Sequence, residues 1–341
     1  MRSRSAPADC MIPAGFSGFH HEEHRPDSCG ALIAGARGVE PARPVGSEPE
    51  PPDWNPNRFK GIVFDVGMHD GSDTAFYLHQ GYAVLAVEAD PVLAADGELR
   101  FSEAIRAGQL YILNAGIAAH PGTATFWICD DHSVWNSFDV RIASRNGSRH
   151  HAITVRTCRF ADVLKTFGSP AYLKIDIEGA DSLCVEDLDR QHLPRFISVE
   201  CERVGDGERL TADESVRMLD RLRDAGYSRF KLVSQEDFST VTHPDRWRFT
   251  RRVIESASDG RLSVPGFRRL ARAVSVRRRL QRRNRGYRFA CGSTGPWGDG
   301  LLGRWSTYDE ARATYVAVRD RFFSAPGART YAFWYDWHAT F

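Results

Sequence analysis

Short apolar segments alternate with segments of helical pattern from Phe59 onward in this 341-residue chain. Buried strands are predicted at GIVFDVG, AVLAVEAD, QLYILNAGIA, AYLKIDIEG and FISVE, because each contains a short apolar run bounded by polar residues or glycine. Helical segments between such runs indicate right-handed βαβ units. We therefore predict an α/β fold with a mostly parallel sheet and helices on both of its faces.

The two ends of the chain differ from this pattern. Nine of the 17 prolines precede residue 58, and no apolar periodicity is visible there. This predicts a disordered tail over residues 1–57 and one folded domain over residues 58–341. A basic insertion or lid is predicted within that domain over residues 235–293, before the last strand, since residues 261–290 are rich in arginine and lack acids. Two interpretations stay open for it, a solvated lid or an amphipathic helix that binds anionic lipid or RNA.

Composition limits the classes of partner and compartment. Lysine plus arginine is 45 and aspartate plus glutamate is 44, so the net charge of +1 gives no reason to expect a nucleic-acid partner. No apolar run approaches membrane-spanning length. The seven cysteines are scattered without a C-x-x-C pattern, which favours free thiols over a disulfide framework or a zinc site. We expect a cytoplasmic protein without a membrane span, and its oligomeric state stays open.

The turn after the first strand carries the first functional signal. Ligands of open parallel sheets bind at the carboxyl ends of the strands, where glycine lets the backbone approach them. A dinucleotide fingerprint, G-x-G-x-x-G, fails here because His69 and Ser72 follow Gly67 at its second and third glycine positions. Asp65, two residues before Gly67, would repel a pyrophosphate but suits a cationic amino-acid group. The same carboxylate can instead brace the loop.

Glu88 ends the second strand. A carboxylate there can accept hydrogen bonds from both hydroxyls of a ribose. An acid at this position also occurs in NAD enzymes, so Glu88 alone does not separate the two cofactor classes. An NAD-dependent oxidoreductase therefore stays the alternative, next to a non-catalytic binding module that uses the basic segment.

Three further acids follow two predicted neighbouring strands. Asp176 is expected to point into the cleft and to share one pocket with Glu200, while Glu178 lies in the turn and can interact with the next helix N-terminus. A shared proton or a divalent ion would make the Asp176–Glu200 pair tolerable. For Glu200, a simple ion pair with an arginine explains the sequence equally well.

The ordered blocks DVGMHDGSDTAFYLHQGY, VLAVEADP, ILNAGIAAHPGTATFWI, YLKIDIEGAD and ISVE resemble the FkbM family of S-adenosyl-L-methionine-dependent methyltransferases. GSTGPWG and WYDWHA resemble that family's terminal signatures, so the resemblance extends from Phe59 to the C-terminus, with the arginine-rich segment outside the shared pattern. It implies a class I, Rossmann-like methyltransferase fold with seven strands, of which the last is antiparallel. It also implies O-methylation of a small-molecule acceptor such as a sugar or polyketide.

The resemblance assigns cofactor contacts motif by motif. The turn would surround the methionine moiety, Glu88 would hold the ribose, and the end of the third strand would border the adenine. The resulting set of S-adenosyl-L-methionine contacts is Asp65, Gly67, Met68, Gly71, Glu88, Ala89, Asn114, Ala115 and Asp176.

Methyl transfer requires an aligned acceptor, and a hydroxyl acceptor benefits from losing its proton. Asp176 is the first candidate base because of its position at the end of a strand, and His69 is the second because histidine side chains titrate near neutral pH. Acceptor contacts are predicted for the polar loop over the strand ends and for the nearby acids, namely Trp135, Asn136, Ser137, Glu178 and Glu200. A divalent metal could also activate a hydroxyl, but no motif supports one, and no metal ligands are assigned.

Overall fold

A computed structural model describes residues 54–190, 193–201, 214–241, 276–290, 292–323 and 334–341. Its ten strands are β1 Ile62–Val66, β2 Ala83–Glu88, β3 Leu110–Asn114, β4 Gly116–Ile117, β5 Gly122–Cys129, β6 His150–Cys158, β7 Tyr172–Ile175, β8 Phe196–Glu200, β9 Arg229–Ser234 and β10 Tyr335–Thr340. Seven of them form one sheet in the order β3-β2-β1-β7-β8-β10-β9. β10 runs antiparallel to both of its neighbours, whereas the other pairs are parallel. The predicted seven-stranded, mostly parallel sheet with an antiparallel last strand is confirmed.

The helices are α1 Ser72–His79, α2 Pro91–Arg100, α3 Ser102–Arg106, α4 Val140–Ala143, α5 Phe160–Phe167, α6 Asp181–Glu186, α7 Glu214–Ala225, α8 over residues 276–283 and α9 Tyr308–Phe323. Successive strand residues point to opposite faces of a sheet. Accordingly Val63 packs in one core with Phe76 of α1, and Phe64 packs in another with Phe160 of α5 and Leu219 of α7. Both faces of the sheet are thus covered by helices, as the unbroken apolar runs predict.

A second, three-stranded sheet of order β4-β6-β5 follows β3 in the chain. β5 and β6 pair antiparallel, from Gly122 with Thr157 to Cys129 with His150. The polar loop between them begins and ends at an ion pair of Asp131 with Arg149, at 2.8 Å. This small sheet therefore holds the loop that was predicted to cover the strand ends.

Residues just before the predicted boundary at position 58 pack against the domain. Trp54 is buried, and its ring lies 6.3 Å from that of Tyr111 on β3. The backbone N–H of Asn55 donates to the carbonyl oxygen of Gly108 at 3.2 Å. Residues 54–57, which the proline count assigns to the tail, are therefore part of the domain. The prediction for residues 1–53 lies outside the described residues.

The described part of the basic segment is packed onto the domain. Leu280 of α8 is fully buried in a cluster with Phe238. Arg283 donates to the carbonyl oxygen of Leu301 at 3.1 Å, and Arg285 donates to that of Gln80 at 3.3 Å. The apolar side of α8 thus faces the protein, which disfavours a lipid-inserting helix for residues 276–290. The prediction for residues 242–275 lies outside the described residues. Among the helices that the structure describes, none is long and apolar enough to cross a membrane.

Candidate functional site

A cavity of about 220 Å³ lies where β1, β2 and β7 end. Its walls include the turn after β1, Glu88 at the end of β2 and Asp176 after β7. This is the edge at which open parallel sheets bind ligands. The position predicted for the site is therefore occupied by a cavity.

The turn after β1 requires its first glycine. Gly67 has a φ of +86°, and a Cβ there would lie 1.8 Å from the carbonyl oxygen of Asp176. Met68 follows it into the cavity wall and donates its N–H to the carbonyl oxygen of Val87 at 3.1 Å. Gly71, the second glycine of this turn, lies outside the cavity wall. Its missing side chain leaves room for the Phe101 ring, which a Cβ would approach to 2.5 Å.

Glu88 is 7% exposed and lines the cavity. Its Oε2 accepts the backbone N–H of His69 at 2.8 Å, and its Oε1 accepts that of Asp90 at 2.9 Å. Burial raises the pKa of Glu88 to about 7, although both N–H donors lower it. Its charge therefore changes near neutral pH, and its negative form offers remaining lone pairs to hydroxyl donors.

Lys174 connects three parts of the site and carried no predicted function. Its Nζ donates to the carbonyl oxygen of Gly67 at 2.5 Å, and it lies 3.3 Å from Oδ1 of Asp65 and 3.9 Å from Oδ2 of Asp176. Burial alone would lower the pKa of this ammonium, but the nearby carboxylates outweigh burial and raise it above its usual range. The sequence does contain a signal for this function: a lysine in the buried strand YLKI requires a negatively charged partner.

Asp65 does not reach the cavity. Its side chain is fully buried, and its Oδ2 accepts the hydroxyl of Thr74 at 2.6 Å while Oδ1 pairs with Lys174. The Asp65 carboxylate therefore does not face the cavity, where a cationic ligand would contact it. Asp65 instead braces the turn and the first helix, which is the other function that the sequence left open.

The three predicted acids after β7 and β8 come together. Asp176, Glu178 and Glu200 all line the cavity, and each offers an oxygen within 4.8 Å of the other two. Such a group can hold a metal ion or accept hydrogen bonds from a polar acceptor. Glu178 already pairs with Arg145 at 3.2 Å.

Asp181, the first residue of α6, holds the turn before that helix, where Glu178 was expected to interact with the helix N-terminus. The Asp181 carboxylate accepts the backbone N–H groups of Ile177 and Gly179, both at 3.2 Å. Glu178 itself has a φ of +49° in this turn. The turn that carries Asp176 and Glu178 is therefore held by a third acid.

Only one of three predicted contacts from the polar loop faces the cavity. Asn136 lines it, and its amide donates to Oδ2 of Asp90 at 3.0 Å. Trp135 is instead buried in a small core with Cys129 and Ala143. Ser137 is 1% exposed, and its hydroxyl donates to the carbonyl oxygen of Glu178 at 2.7 Å. Trp135 and Ser137 thus shape the loop and do not line the cavity.

The side of the cavity next to β3 is apolar. Ala89, Ala115, Ile117, Phe126 and Phe138 line it. Asn114 is not among the lining residues, because its amide donates to the carbonyl oxygen of Glu88 at 2.9 Å. This residue supports the end of β2 from outside the cavity.

His69 lines the cavity in a left-handed conformation, with a φ of +50°. Its Nε2 lies 2.8 Å from the hydroxyl oxygen of Ser133, so the polar loop and the turn after β1 are joined by a hydrogen bond. Asp73, Gly292 and Ser293 also line the cavity, and the sequence assigned them no function. Their proximity depends on contacts between distant parts of the chain, which no local pattern indicates.

Comparison with known proteins gives one family match. The model of the methyltransferase FkbM domain matches residues 65–229, and no curated protein matches the chain. Similar solved structures include methyltransferase FkbM from Methylobacillus flagellatus KT, at 14% identity and a TM-score of 0.34, which covers 56% of this chain and 44% of that one. They also include a SAM-dependent methyltransferase from Geobacter sulfurreducens in complex with S-adenosyl-L-homocysteine, at 13% identity and a TM-score of 0.31, covering 82% and 83%.

The matched range begins at Asp65 on β1 and ends at Arg229 on β9. It contains the turn after β1, Glu88 and the three acids that meet in the cavity. This chain spans less than half of the Methylobacillus chain. The family resemblance drawn from the sequence motifs is therefore confirmed over residues 65–229, which match the methyltransferase FkbM domain.

Proposed function

We propose that this chain is an S-adenosyl-L-methionine-dependent methyltransferase that acts on a hydroxyl group of a small molecule. The observation that carries the proposal is the position of Glu88, which lines the same cavity as the Gly67–Asp70 turn inside the matched domain. A carboxylate at the end of the second strand suits the hydroxyls of a ribose. The proposal places the nucleoside next to Glu88 and the reacting groups next to Asp176.

The residues that line the cavity fit the chemical groups of this cofactor. Glu88 would hold the ribose, and the apolar wall with Ala115 and Ile117 would pack against the adenine. Gly67 and Met68 would border the methionine moiety. An adenosyl group requires a carboxylate that accepts hydrogen bonds from its ribose hydroxyls and an apolar wall beside it for the adenine.

The cofactor supplies an activated methyl group on a sulfonium, so the protein has to align the acceptor and remove its proton. Asp176 is our candidate base because it lines the cavity with its side chain 28% exposed. Its Oδ2 lies 3.9 Å from the ammonium of Lys174. His69 is the second candidate, although its Nε2 already shares a hydrogen bond with Ser133.

The polar groups around Asp176 favour a neutral acceptor with several hydroxyls. Glu178 and Glu200 lie beside Asp176, and Asn136 lines the same cavity. Carboxylates accept hydrogen bonds from hydroxyl groups and repel anions. A sugar or a hydroxylated polyketide fits this chemistry, whereas a phosphorylated acceptor does not.

Replacing Asp176 with asparagine is expected to lower the rate of methyl transfer by about 10²–10⁴-fold, the usual contribution of a general base. The measurement is transfer of a radiolabelled methyl group from S-adenosyl-L-methionine to a panel of sugars and polyketide alcohols. Affinity for S-adenosylhomocysteine, measured in the same variant, separates a loss of cofactor contact from a loss of the base.

His69→Gln is the matched control for that experiment. If Asp176→Asn keeps full activity and His69→Gln is inactive, then His69 is the base and Asp176 is not. Loss of activity on chelation, restored by a divalent ion, would instead assign Asp176, Glu178 and Glu200 to a metal.

A further inference from the structure

We propose that Asp73 is a positioning residue for cofactor binding, which holds residues 292–297 as a wall of the cavity. These residues, GSTGPW, are called the strap below. The inference rests on the proposed function, since it concerns the same cavity. It adds a part of the chain far outside the matched domain to the cofactor site.

Asp73 holds the strap through both of its carboxylate oxygens. It is 7% exposed in the first turn of α1, directly after the turn that carries Gly67. Its Oδ2 accepts the backbone N–H of Thr294 at 2.9 Å, and its Oδ1 accepts that of Gly295 at 3.1 Å. Burial raises the pKa of Asp73 to about 7, and these two hydrogen bonds act against that rise because they stabilise the ionised carboxylate. One buried side chain therefore fixes two successive peptide groups 221 and 222 residues away in sequence.

The other side of the strap is fixed by packing. Gly295 has a φ of +80°, and a Cβ there would lie 2.6 Å from the ring of Phe238. The Trp297 ring stacks on that of Tyr172 at 4.5 Å and 11°. Tyr172 begins β7, the strand that leads to Asp176. The strap is thus held between α1 on one side and the sheet on the other.

The strap forms part of the cavity wall. Gly292 and Ser293 line the same cavity as Gly67, Asp176 and Asp73 itself. A Cβ on Gly292 would lie 3.0 Å from the ring of Trp334, which also lines the cavity. A shift of Thr294 and Gly295 away from Asp73 would therefore move this wall. The width of the cavity next to the Gly67 turn depends on the Asp73 carboxylate.

Two measurements separate positioning from simple tethering. The first is hydrogen exchange in the peptide that spans the strap, in the wild-type full chain with and without S-adenosylhomocysteine. We expect the ligand to slow exchange at Thr294 and Gly295 by about tenfold, since a ligand against the wall stabilises its closed position. Unchanged exchange at saturating ligand would overturn the proposal without any variant.

The second measurement is calorimetric affinity for S-adenosylhomocysteine in Asp73→Asn, with Asp187→Asn as the matched control. Asp187 is also an acid that accepts a backbone N–H, from Ala161 at 2.9 Å, but it does not line the cavity. We expect Asp73→Asn to weaken binding by about tenfold or more and to speed exchange in the strap, because an amide offers one acceptor oxygen where the carboxylate offers two. Asp187→Asn should lower thermal stability and leave affinity within about twofold.

A folded Asp73→Asn protein with wild-type affinity would overturn the inference and leave the proposed function standing. A wild-type chain that does not bind S-adenosylhomocysteine would overturn the proposed function, and the inference with it. Weakened binding in both variants to the same extent would show a general loss of stability, which also contradicts a positioning function for Asp73.

Discussion

Replacing Lys174 with methionine is expected to lower the free energy of unfolding by about 3–5 kcal/mol, the usual effect of removing one partner from a buried ion pair. Lys174 is 3% exposed, and its ammonium lies 3.3 Å from the fully buried carboxylate of Asp65. The variant would leave that carboxylate without its cation, and the carbonyl oxygen of Gly67 would lose its donor. Urea denaturation followed by circular dichroism measures the loss.

The double variant Lys174→Met with Asp65→Asn separates charge from packing. Asparagine keeps an acceptor for the hydroxyl of Thr74 and removes the buried charge. We expect the double variant to recover about 2 kcal/mol or more of the loss, since residues in direct contact are strongly coupled. Lys165→Met, at an exposed position of α5, is the control for replacing a lysine. Additive effects of the two substitutions would contradict the coupling between Lys174 and Asp65.

Replacing Gly67 with alanine is expected to abolish S-adenosylhomocysteine binding and to destabilise the domain by more than about 3 kcal/mol. Two effects add here. The residue has a φ of +86°, and its Cβ would lie 1.8 Å from a backbone oxygen, that of Asp176, which cannot move without displacing the end of β7. The turn after β1 and the residue after β7 would be forced apart.

Gly168→Ala is the control that introduces backbone strain without a clash. Gly168 has a similar φ of +80°, but nothing lies within 4 Å of the position that its Cβ would take. This control should cost about 1–2 kcal/mol and leave binding unchanged. Calorimetry and urea denaturation of both variants give the comparison. Equal losses of stability and of binding in the two variants would contradict a specific requirement for the close approach of Gly67 to Asp176.

The sheet and the general position of the site follow from local patterns. Apolar runs predict buried strands, and the order of parallel strands brings Asp176 and Glu200 to one edge. The glycine at position 67 and the acid at position 88 mark the ends of β1 and β2 for the same reason. The strand order and a cavity at the strand ends can be predicted because they depend on periodicity and on the shared edge of parallel strands.

The orientation of individual side chains depends on packing that sequence patterns do not contain. Asp65 pairs in register with Lys174 on the neighbouring strand, so their side chains share one face of the sheet and the carboxylate meets a cation there. Trp135 is aromatic and lies in a polar loop, yet it fills a small core beside α4. The hydrogen bonds from Thr294 and Gly295 to Asp73 join positions more than 200 residues apart. No local period reports such contacts.

The measurement that tests the proposed cofactor most directly is a calorimetric titration of the full chain with S-adenosylhomocysteine, with NAD as the control ligand. The pKa of Glu88 is about 7 without ligand, and ribose hydroxyls would donate to its ionised form. Binding would then lower this pKa and release a proton below neutral pH, so affinity should fall as the pH falls through 7 and level off above it.

We predict micromolar binding at about pH 8, binding about tenfold weaker at about pH 6, and no heat with NAD. Glu88→Gln should bind more weakly at the higher pH and lose the part of the pH dependence that Glu88 contributes, while Asp73, whose pKa is also raised to about 7 by burial, keeps its own part. A folded protein that does not bind S-adenosylhomocysteine, or that binds NAD in its place, would contradict the assignment of this cavity to S-adenosyl-L-methionine.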